Sequence, residues 1–130
     1  MKRLVFDIDG TLTVSGQASY EEAVPRKDVI KQLKEYKKNG FEIILFTSRN
    51  MRTHSESVGK ITAKTLPIIL DWLKRHEIPF DEIHVGKPWC GTEGYYIDDK
   101  AIRPSEFLSM SYEEIITTLE NEHKHALAGL

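Results

Sequence analysis

The sequence has little cysteine, no long apolar run and almost no net charge, and each of these features excludes some classes of protein. Cys90 is the single cysteine, which excludes an internal disulfide and a metal site built from several cysteines. No apolar run is long enough for a signal peptide or a transmembrane helix, so we expect a cytoplasmic protein. The formal net charge is only −2, which indicates no strong attraction to nucleic acid or to an anionic membrane. The remaining composition, 40% hydrophobic and 29% charged in 130 residues, predicts one domain over residues 1–130.

The stretch from Lys2 to Thr13, KRLVFDIDGTLT, carries the strongest chemical signal. It predicts a short buried strand that ends in two carboxylates, Asp7 and Asp9, followed at once by Gly10. Ligands bind at the carboxyl ends of strands in open α/β sheets, and residues two apart on a strand share a face. Two crowded carboxylates repel each other unless a proton or a cation neutralises them, and Mg2+ prefers oxygen ligands. A turn that needs Asp-Gly only for its backbone is the alternative, but DIDGTLT favours a site.

Strands and helices alternate along the rest of the chain. The further strands are predicted at 41–46, 81–85 and 94–97. The helices are predicted at 26–38, from 62 or 63 to 76, and after a capping box formed by Ser111 and Glu114. Residues 102–108 are predicted to be a loop, and the tail from His123 is predicted to be disordered. The predicted fold class is therefore α/β, a three-layer Rossmann-like parallel sheet of about four strands flanked by helices, without a cap domain.

Polar side chains follow each of the later predicted strands. Thr47 and Ser48 come after the second strand, where a hydroxyl can bind an anion or cap a helix. Lys87 comes after the third strand, and Asp98 and Asp99 come after the fourth. Alone, a lysine or an acidic pair in a turn is most simply a solvent-exposed group. Their positions after successive strands favour a functional interpretation.

Two arginines, Arg49 and Arg52, lie in the polar stretch 48–63 and are candidates for binding an anionic substrate. Arginine can bind carboxylate or phosphate through two parallel hydrogen bonds. Only about a dozen residues separate Thr13 from the first predicted helix, too few for a cap domain. The loops beyond the strand ends must then supply substrate specificity.

The string DIDGTLT resembles the first motif of the haloacid dehalogenase (HAD) superfamily and matches every fixed position of that motif. Thr47, Lys87 and the pair Asp98-Asp99 are similar to the second, third and fourth motifs, and they follow in the family's order. The resemblance therefore covers residues 7–99, nearly the whole chain. It points to the capless members of the superfamily, among them small sugar-phosphate phosphatases of polysaccharide synthesis.

The resemblance implies a role for each matching residue. Asp7 is expected to be the nucleophile that becomes an aspartyl phosphate. Asp9 is expected to be the general acid and base, and its backbone carbonyl is expected to help hold Mg2+. Thr47 is expected to hydrogen-bond a phosphate oxygen, with Ser48 as the alternative. The predicted substrate contacts are Gly10, Ser48, Arg49 and Arg52.

The third and fourth motifs supply the remaining charges. Lys87 is expected to stabilise negative charge on the nucleophile and the phosphoryl group, with Lys60 and Lys64 as alternatives. The Mg2+ ligands are expected to be Asp7, Asp9, Asp98 and Asp99. Asp98 is the first choice for the direct contact from the acidic pair, while Asp99 is expected to ligate as well or to position a metal-bound water or Lys87.

The function that follows is Mg2+-dependent hydrolysis of a phosphate monoester, with a small phosphorylated metabolite such as a sugar phosphate as substrate. A carboxylate that attacks phosphorus splits one hard step into two, and a metal and a lysine offset the charge. A capless site needs a bulky substrate or the neighbouring subunits of a homo-oligomer to exclude water. The alternatives are a non-catalytic metal or phospho-ligand module, a phosphotransferase, and a phosphatase that acts on a macromolecule. The intact pair of Asp7 and Asp9 counts against the first of these.

Overall fold

This computed structural model describes residues 1–14 and 19–130, and these residues contain a parallel sheet. Its strands are β1 (Arg3–Phe6), β2 (Glu42–Thr47) and β3 (Glu82–Val85). They lie in the order β1-β2-β3, and both pairs are parallel. Ile43 and Leu45 on the central strand are fully buried, as expected where helices cover a parallel sheet. The predicted α/β, Rossmann-like class is confirmed.

The strand register aligns the carboxyl ends of all the strands. Phe6 of β1 pairs with Leu45 of β2, and Thr47 of β2 pairs with Val85 of β3. Parallel strands in register end at the same edge of the sheet, so the loops that follow them meet there. The edge where ligands bind in such folds is thus built from the segments that begin at Asp7, Ser48 and Gly86.

The chain forms two compact units, Met1–Trp89 and Cys90–Leu130, and the sheet belongs to the first. The prediction of one domain over residues 1–130 stays a prediction. The helices of the first unit are α1 (Lys27–Lys38), α2 (Val58–Lys64) and α3 (Leu66–Arg75). The apolar face of α1 is buried through Val29, Ile30, Leu33 and Tyr36, which recur at helical spacing. Trp72 of α3 is also fully buried, and its indole N–H donates to the carbonyl of Ala23 at 2.9 Å.

One predicted helix is two helices in the structure. The segment from 62 or 63 to 76 was predicted to be continuous, but α2 already begins at Val58 and the chain breaks at Thr65. Ser57 explains the early start, because its side chain accepts a hydrogen bond from the Lys60 N–H. Pro67 explains the break, because it has no N–H with which to continue the helical bonding pattern.

The second unit contains two helices, α4 (Pro104–Ser109) and α5 (Tyr112–Ala128). The capping box of Ser111 and Glu114 is confirmed at the start of α5. Two predictions are wrong here, since the predicted loop 102–108 contains most of α4 and the predicted disordered tail is helical to Ala128. Proline at the first helical position explains the start of α4. Within the described ranges, no helix combines the length and apolar character required to cross a membrane.

The fourth predicted strand, residues 94–97, is not a strand in the described chain. The side chains of Tyr95 and Ile97 are 78% and 88% exposed. Aromatic and β-branched residues favour a strand, but a strand forms only where a neighbouring strand completes its hydrogen bonds. The sheet therefore has three strands in residues 1–14 and 19–130 rather than the four expected.

Candidate active site

A tight turn fixes the two aspartates at the end of β1. The carbonyl of Ile8 accepts hydrogen bonds from the N–H groups of Thr11, Leu12 and Thr13, at 2.8–3.2 Å. Gly10 has φ of 83°, a left-handed conformation that favours glycine, and its N–H donates to the Thr13 hydroxyl at 3.1 Å. Ile8 is fully buried beneath this turn. The side chains on either side of Ile8, those of Asp7 and Asp9, are therefore held half-exposed at the edge of the sheet.

Lys87 is the cation beside Asp7. Its ammonium nitrogen lies 3.6 Å from Asp7 Oδ1. Its backbone N–H donates to the Thr47 carbonyl at 3.0 Å, which ties the loop after β3 to the end of β2. The turn depends on Gly86, whose φ is 85° and where an added Cβ would come within 2.9 Å of Val58 Cγ2. The sequence alternatives Lys60 and Lys64 are exposed on α2.

Asp7 lies in a site that disfavours its charge. Burial raises the pKa of the Asp7 carboxyl above its ordinary value, and the negative charge of Asp9 raises it further. Lys87 opposes this shift but does not cancel it. The ionised carboxylate is therefore less stable at this position than in water, and additional positive charge nearby would stabilise it.

Asp9 is held by an ion pair that the sequence analysis did not anticipate. Arg49 donates from Nη2 to Asp9 Oδ1 at 2.7 Å and from Nε to Oδ2 at 3.1 Å. The guanidinium carbon also lies 4.3 Å from the centre of the Tyr20 ring. The Arg49 side chain is only 1% exposed, and within the described part of the chain its Nη1 has no hydrogen-bond partner. Arg49 therefore orients Asp9, and its predicted contact with substrate stays a prediction.

The hydroxyl groups after β2 differ in their surroundings. Thr47 is 1% exposed, and its Oγ1 accepts a hydrogen bond from the Arg49 N–H at 3.0 Å. This bond uses an oxygen lone pair and leaves the hydroxyl hydrogen available to donate. Ser48 is half-buried, and its carbonyl accepts from the Met51 N–H. Thr47 thus links the end of β2 to Arg49, the residue that holds Asp9.

Arg52 and Trp89 form an exposed cation–aromatic pair in the same unit. The Arg52 guanidinium carbon lies 5.7 Å from the Trp89 ring, and both residues are exposed. Sequence reasoning proposed Arg52 as a substrate contact and did not single out Trp89. The sequence analysis also did not identify Arg26, whose Nη1 donates a hydrogen bond to the Gly10 carbonyl at 3.3 Å. Neither Trp89 nor Arg26 lies in a recognisable motif, so no sequence signal identified them.

Asp98 and Asp99 belong to the second unit. Both are exposed, and Asp98 Oδ1 accepts a hydrogen bond from the Lys100 N–H at 2.8 Å. In residues 1–14 and 19–130, no group of three or more His, Cys, Asp or Glu side chains is arranged to hold a metal ion. The first unit thus supplies the pair of Asp7 and Asp9, and the metal roles of Asp98 and Asp99 stay predictions.

Two comparisons with known proteins gave a match. A family model described as the LNS2 domain of PITM 1-3 matches residues 4–95, a range that contains Asp7, Asp9, Thr47 and Lys87. A crystal structure of a protein from Vibrio cholerae is 57% identical, with a TM-score of 0.91. That match covers 94% of this chain and 99% of the other. No curated protein matches the chain significantly.

Proposed function

The chain belongs to the LNS2 domain family, which has a HAD-like phosphatase fold, and on that premise we propose that it hydrolyses a phosphate monoester. The expected HAD resemblance is confirmed at the level of this fold. The observation that carries the proposal is the contrast between the two aspartates. Asp7 faces a lysine at 3.6 Å, and Asp9 is held by both donor nitrogens of a buried arginine. Because their surroundings differ, we assign the two carboxylates different catalytic roles.

Asp7 is the nucleophile. One of its carboxylate oxygens forms a bond to phosphorus, while the bond between phosphorus and the leaving alcohol oxygen breaks. Lys87 offsets negative charge on the reacting groups, and the hydroxyl of Thr47 donates to a phosphoryl oxygen. Hydrolysis of the resulting acyl phosphate releases inorganic phosphate and restores the Asp7 carboxylate.

Asp9 transfers protons between the reacting groups and water. Arg49 occupies one lone pair on each Asp9 oxygen, and a carboxylate offers about four such positions. The remaining positions lie on a side chain that is 37% exposed, so Asp9 can still protonate the leaving alkoxide and later take a proton from water. Arg49 is a positioning residue in this scheme, because it fixes the orientation of the proton carrier.

Mg2+ is the cofactor that these residues suit. The Asp7 carboxylate and the Asp9 carbonyl would hold it from the first unit, and Asp98 and Asp99 would complete the oxygen ligands. Burial raises the pKa of Asp7 and so disfavours its ionised form, and a cation bound to the carboxylate would offset that cost. Mg2+ often binds through one or two carboxylates together with water and a substrate phosphate. The ion would neutralise charge on the phosphoryl oxygens.

The proposed substrate is a small phosphorylated metabolite such as a sugar phosphate. Trp89 lies two residues beyond Lys87, and its exposed ring offers an apolar surface next to the Arg52 cation. An aromatic face suits the C–H face of a sugar ring, and an arginine suits an additional anionic group.

The test measures phosphate release from a panel of sugar, nucleotide, glycerol and aryl phosphates. Each substrate is assayed with Mg2+ and with EDTA, for the wild type and for Asp7→Asn. The expected result is release that requires Mg2+ and that falls by about 10^4-fold or more in Asp7→Asn. Asp71→Asn is the matched control, because Asp71 forms an exposed ion pair with Arg75 on the surface of α3. Retention of activity by Asp7→Asn, or silence of the wild type across the panel, would contradict the proposal.

A further inference from the structure

The guanidinium of Arg49 is buried with an incomplete set of hydrogen bonds. Its side chain is 1% exposed, and Nε and Nη2 both donate to Asp9. Within residues 1–14 and 19–130, Nη1 has no hydrogen-bond partner. A charge that is removed from water must be compensated by its remaining contacts. The flat faces of a guanidinium carry no N–H groups, and an aromatic ring stacked on such a face can supply part of this compensation.

The ring of Tyr20 makes this contact. The Arg49 guanidinium carbon lies 4.3 Å from the centre of the ring. A cation over an aromatic face is attracted by the electrons of the ring, and the attraction is stronger where water is excluded. Arg49 is buried while Tyr20 is 44% exposed, so the ring lies between the guanidinium and the solvent. The ring therefore shields the cation from water and restricts its motion.

The core of the first unit fixes the position of Tyr20. The Tyr20 carbonyl accepts a hydrogen bond from the N–H of Ala23, which is itself buried, at 3.4 Å. The Ala23 carbonyl in turn accepts from the indole of Trp72, which is fully buried on α3. The same segment is tied to the residues after β1, because the Val14 N–H donates to the Val24 carbonyl at 2.8 Å. Tyr20 is therefore held by groups that lie outside the candidate catalytic residues.

These contacts connect α3 to the proton carrier, and we propose that Tyr20 is a positioning residue for Asp9. The two parallel hydrogen bonds from Arg49 fix the orientation of the Asp9 carboxylate relative to the guanidinium. A ring that restricts the guanidinium therefore also restricts Asp9. The inference rests on the proposed phosphatase function, in which Asp9 protonates the leaving alkoxide. Small displacements of such a group cost much of its catalytic effect.

Two leaving groups that differ in their need for a proton test this role. Phenyl phosphate releases a basic phenolate, which benefits from a proton donor, whereas para-nitrophenyl phosphate releases a stable anion that leaves without one. For each substrate, kcat/KM is measured with Mg2+ for the wild type, Tyr20→Leu and Tyr20→Phe. Tyr112→Leu replaces another exposed tyrosine, at the start of α5, and is the control.

Tyr20→Leu is expected to lower kcat/KM for phenyl phosphate by about 10-fold and to change that for para-nitrophenyl phosphate by less than about two-fold. Tyr20→Phe keeps the ring and is expected to keep the wild-type ratio of the two values. Tyr112→Leu is expected to match the wild type. The proposal would be overturned by equal losses for both substrates, by unchanged values, or by a loss in Tyr20→Phe as large as that in Tyr20→Leu.

A double-mutant cycle tests the contact without an activity assay. Tyr20→Leu is combined with Arg49→Met, which removes the cation and keeps a side chain of similar length. We expect Tyr20→Leu to lower the midpoint of urea unfolding in the wild type and to have almost no effect in Arg49→Met, because the cation that the ring stabilises is then absent. Additive losses would show that the two side chains do not stabilise each other, and they would overturn the proposal.

The outcomes separate this proposal from the proposed function. An active wild type whose ratio of kcat/KM values is unchanged in Tyr20→Leu would overturn the role of Tyr20 and leave the phosphatase standing. A wild type that releases no phosphate from any substrate would remove both, since the role of Tyr20 is defined by that reaction.

Discussion

The two neighbouring aspartates should have opposite effects on stability when each is replaced by asparagine. Asp9→Asn removes the charge that compensates Arg49, whose side chain is 1% exposed and already carries a buried nitrogen without a partner in the described residues. Asp7→Asn removes a charge that burial and a neighbouring carboxylate disfavour. We therefore expect Asp9→Asn to lower the free energy of unfolding and Asp7→Asn to raise it at neutral pH.

The magnitude for Asp9→Asn follows from its bonds. Asparagine keeps one acceptor oxygen for Arg49 and loses one charge-assisted hydrogen bond, which is worth about 1.5–3 kcal/mol. Breaking a fully buried ion pair costs about 3–5 kcal/mol, but the Asp9 side chain is 37% exposed, so the lower range applies. We expect a loss of about 2 kcal/mol, which for a chain of this size lowers Tm by roughly 6–10 °C.

The effect of Asp7→Asn should depend on pH. Folding raises the pKa of Asp7, so the folded state binds a proton more tightly than the unfolded state. The ionised Asp7 carboxylate therefore destabilises the folded wild-type protein. This effect is fully present above the pKa of Asp7 in the folded state, and it disappears below the ordinary pKa, where Asp7 is protonated in both the folded and the unfolded state. The gain of Asp7→Asn over the wild type should therefore be present at neutral pH and vanish as the pH falls through this window.

Urea unfolding in EDTA across acidic and neutral pH measures both effects without a bound cation. Asp71→Asn serves as the control and should stay within about 0.5 kcal/mol of the wild type. If Asp9→Asn also changed the free energy of unfolding by less than about 0.5 kcal/mol, the buried charge of Arg49 would not depend on Asp9 for its compensation. If Asp7→Asn lost stability at neutral pH, the environment assigned to Asp7 would be wrong.

Further predictions concern the neighbours of this pair. Lys87→Met should lower kcat by about 10^2–10^3-fold. It should also move the acidic limb of the pH profile to higher pH, because the cation that lowers the pKa of Asp7 is removed. Lys74→Met, at an exposed position, is the control. Thr47→Val should cost about 1–3 kcal/mol in urea unfolding, since the Arg49 N–H loses its buried acceptor, and Thr47→Ser should restore most of it. Mg2+ at about 100 times its Kd should stabilise the wild type by roughly 2.7 kcal/mol and Asp7→Asn by much less, and equal stabilisation would refute the assigned ligand.

The sequence by itself determined the elements whose signals are local. Apolar runs specified β1, β2 and β3, helical periodicity specified α1, and the capping box specified the start of α5. Each of these patterns depends on neighbours within a few residues. DIDGTLT similarly marked the end of β1, and the structure shows that a turn follows there, in which the Ile8 carbonyl accepts hydrogen bonds from three nearby N–H groups. The candidate residues Asp7, Asp9 and Lys87 also came from the sequence, since each follows a strand.

Only the tertiary structure decided how the charges pair and which strands form. Arg49 and Asp9 are 40 residues apart, and nothing local to either shows that they meet. Burial then makes this contact specific, because an arginine removed from water binds the nearest carboxylate instead of facing solvent. Residues 94–97 have the composition of a strand, but a strand exists only where an open edge is within reach. That edge is a property of the folded sheet, which residues 94–97 by themselves do not contain.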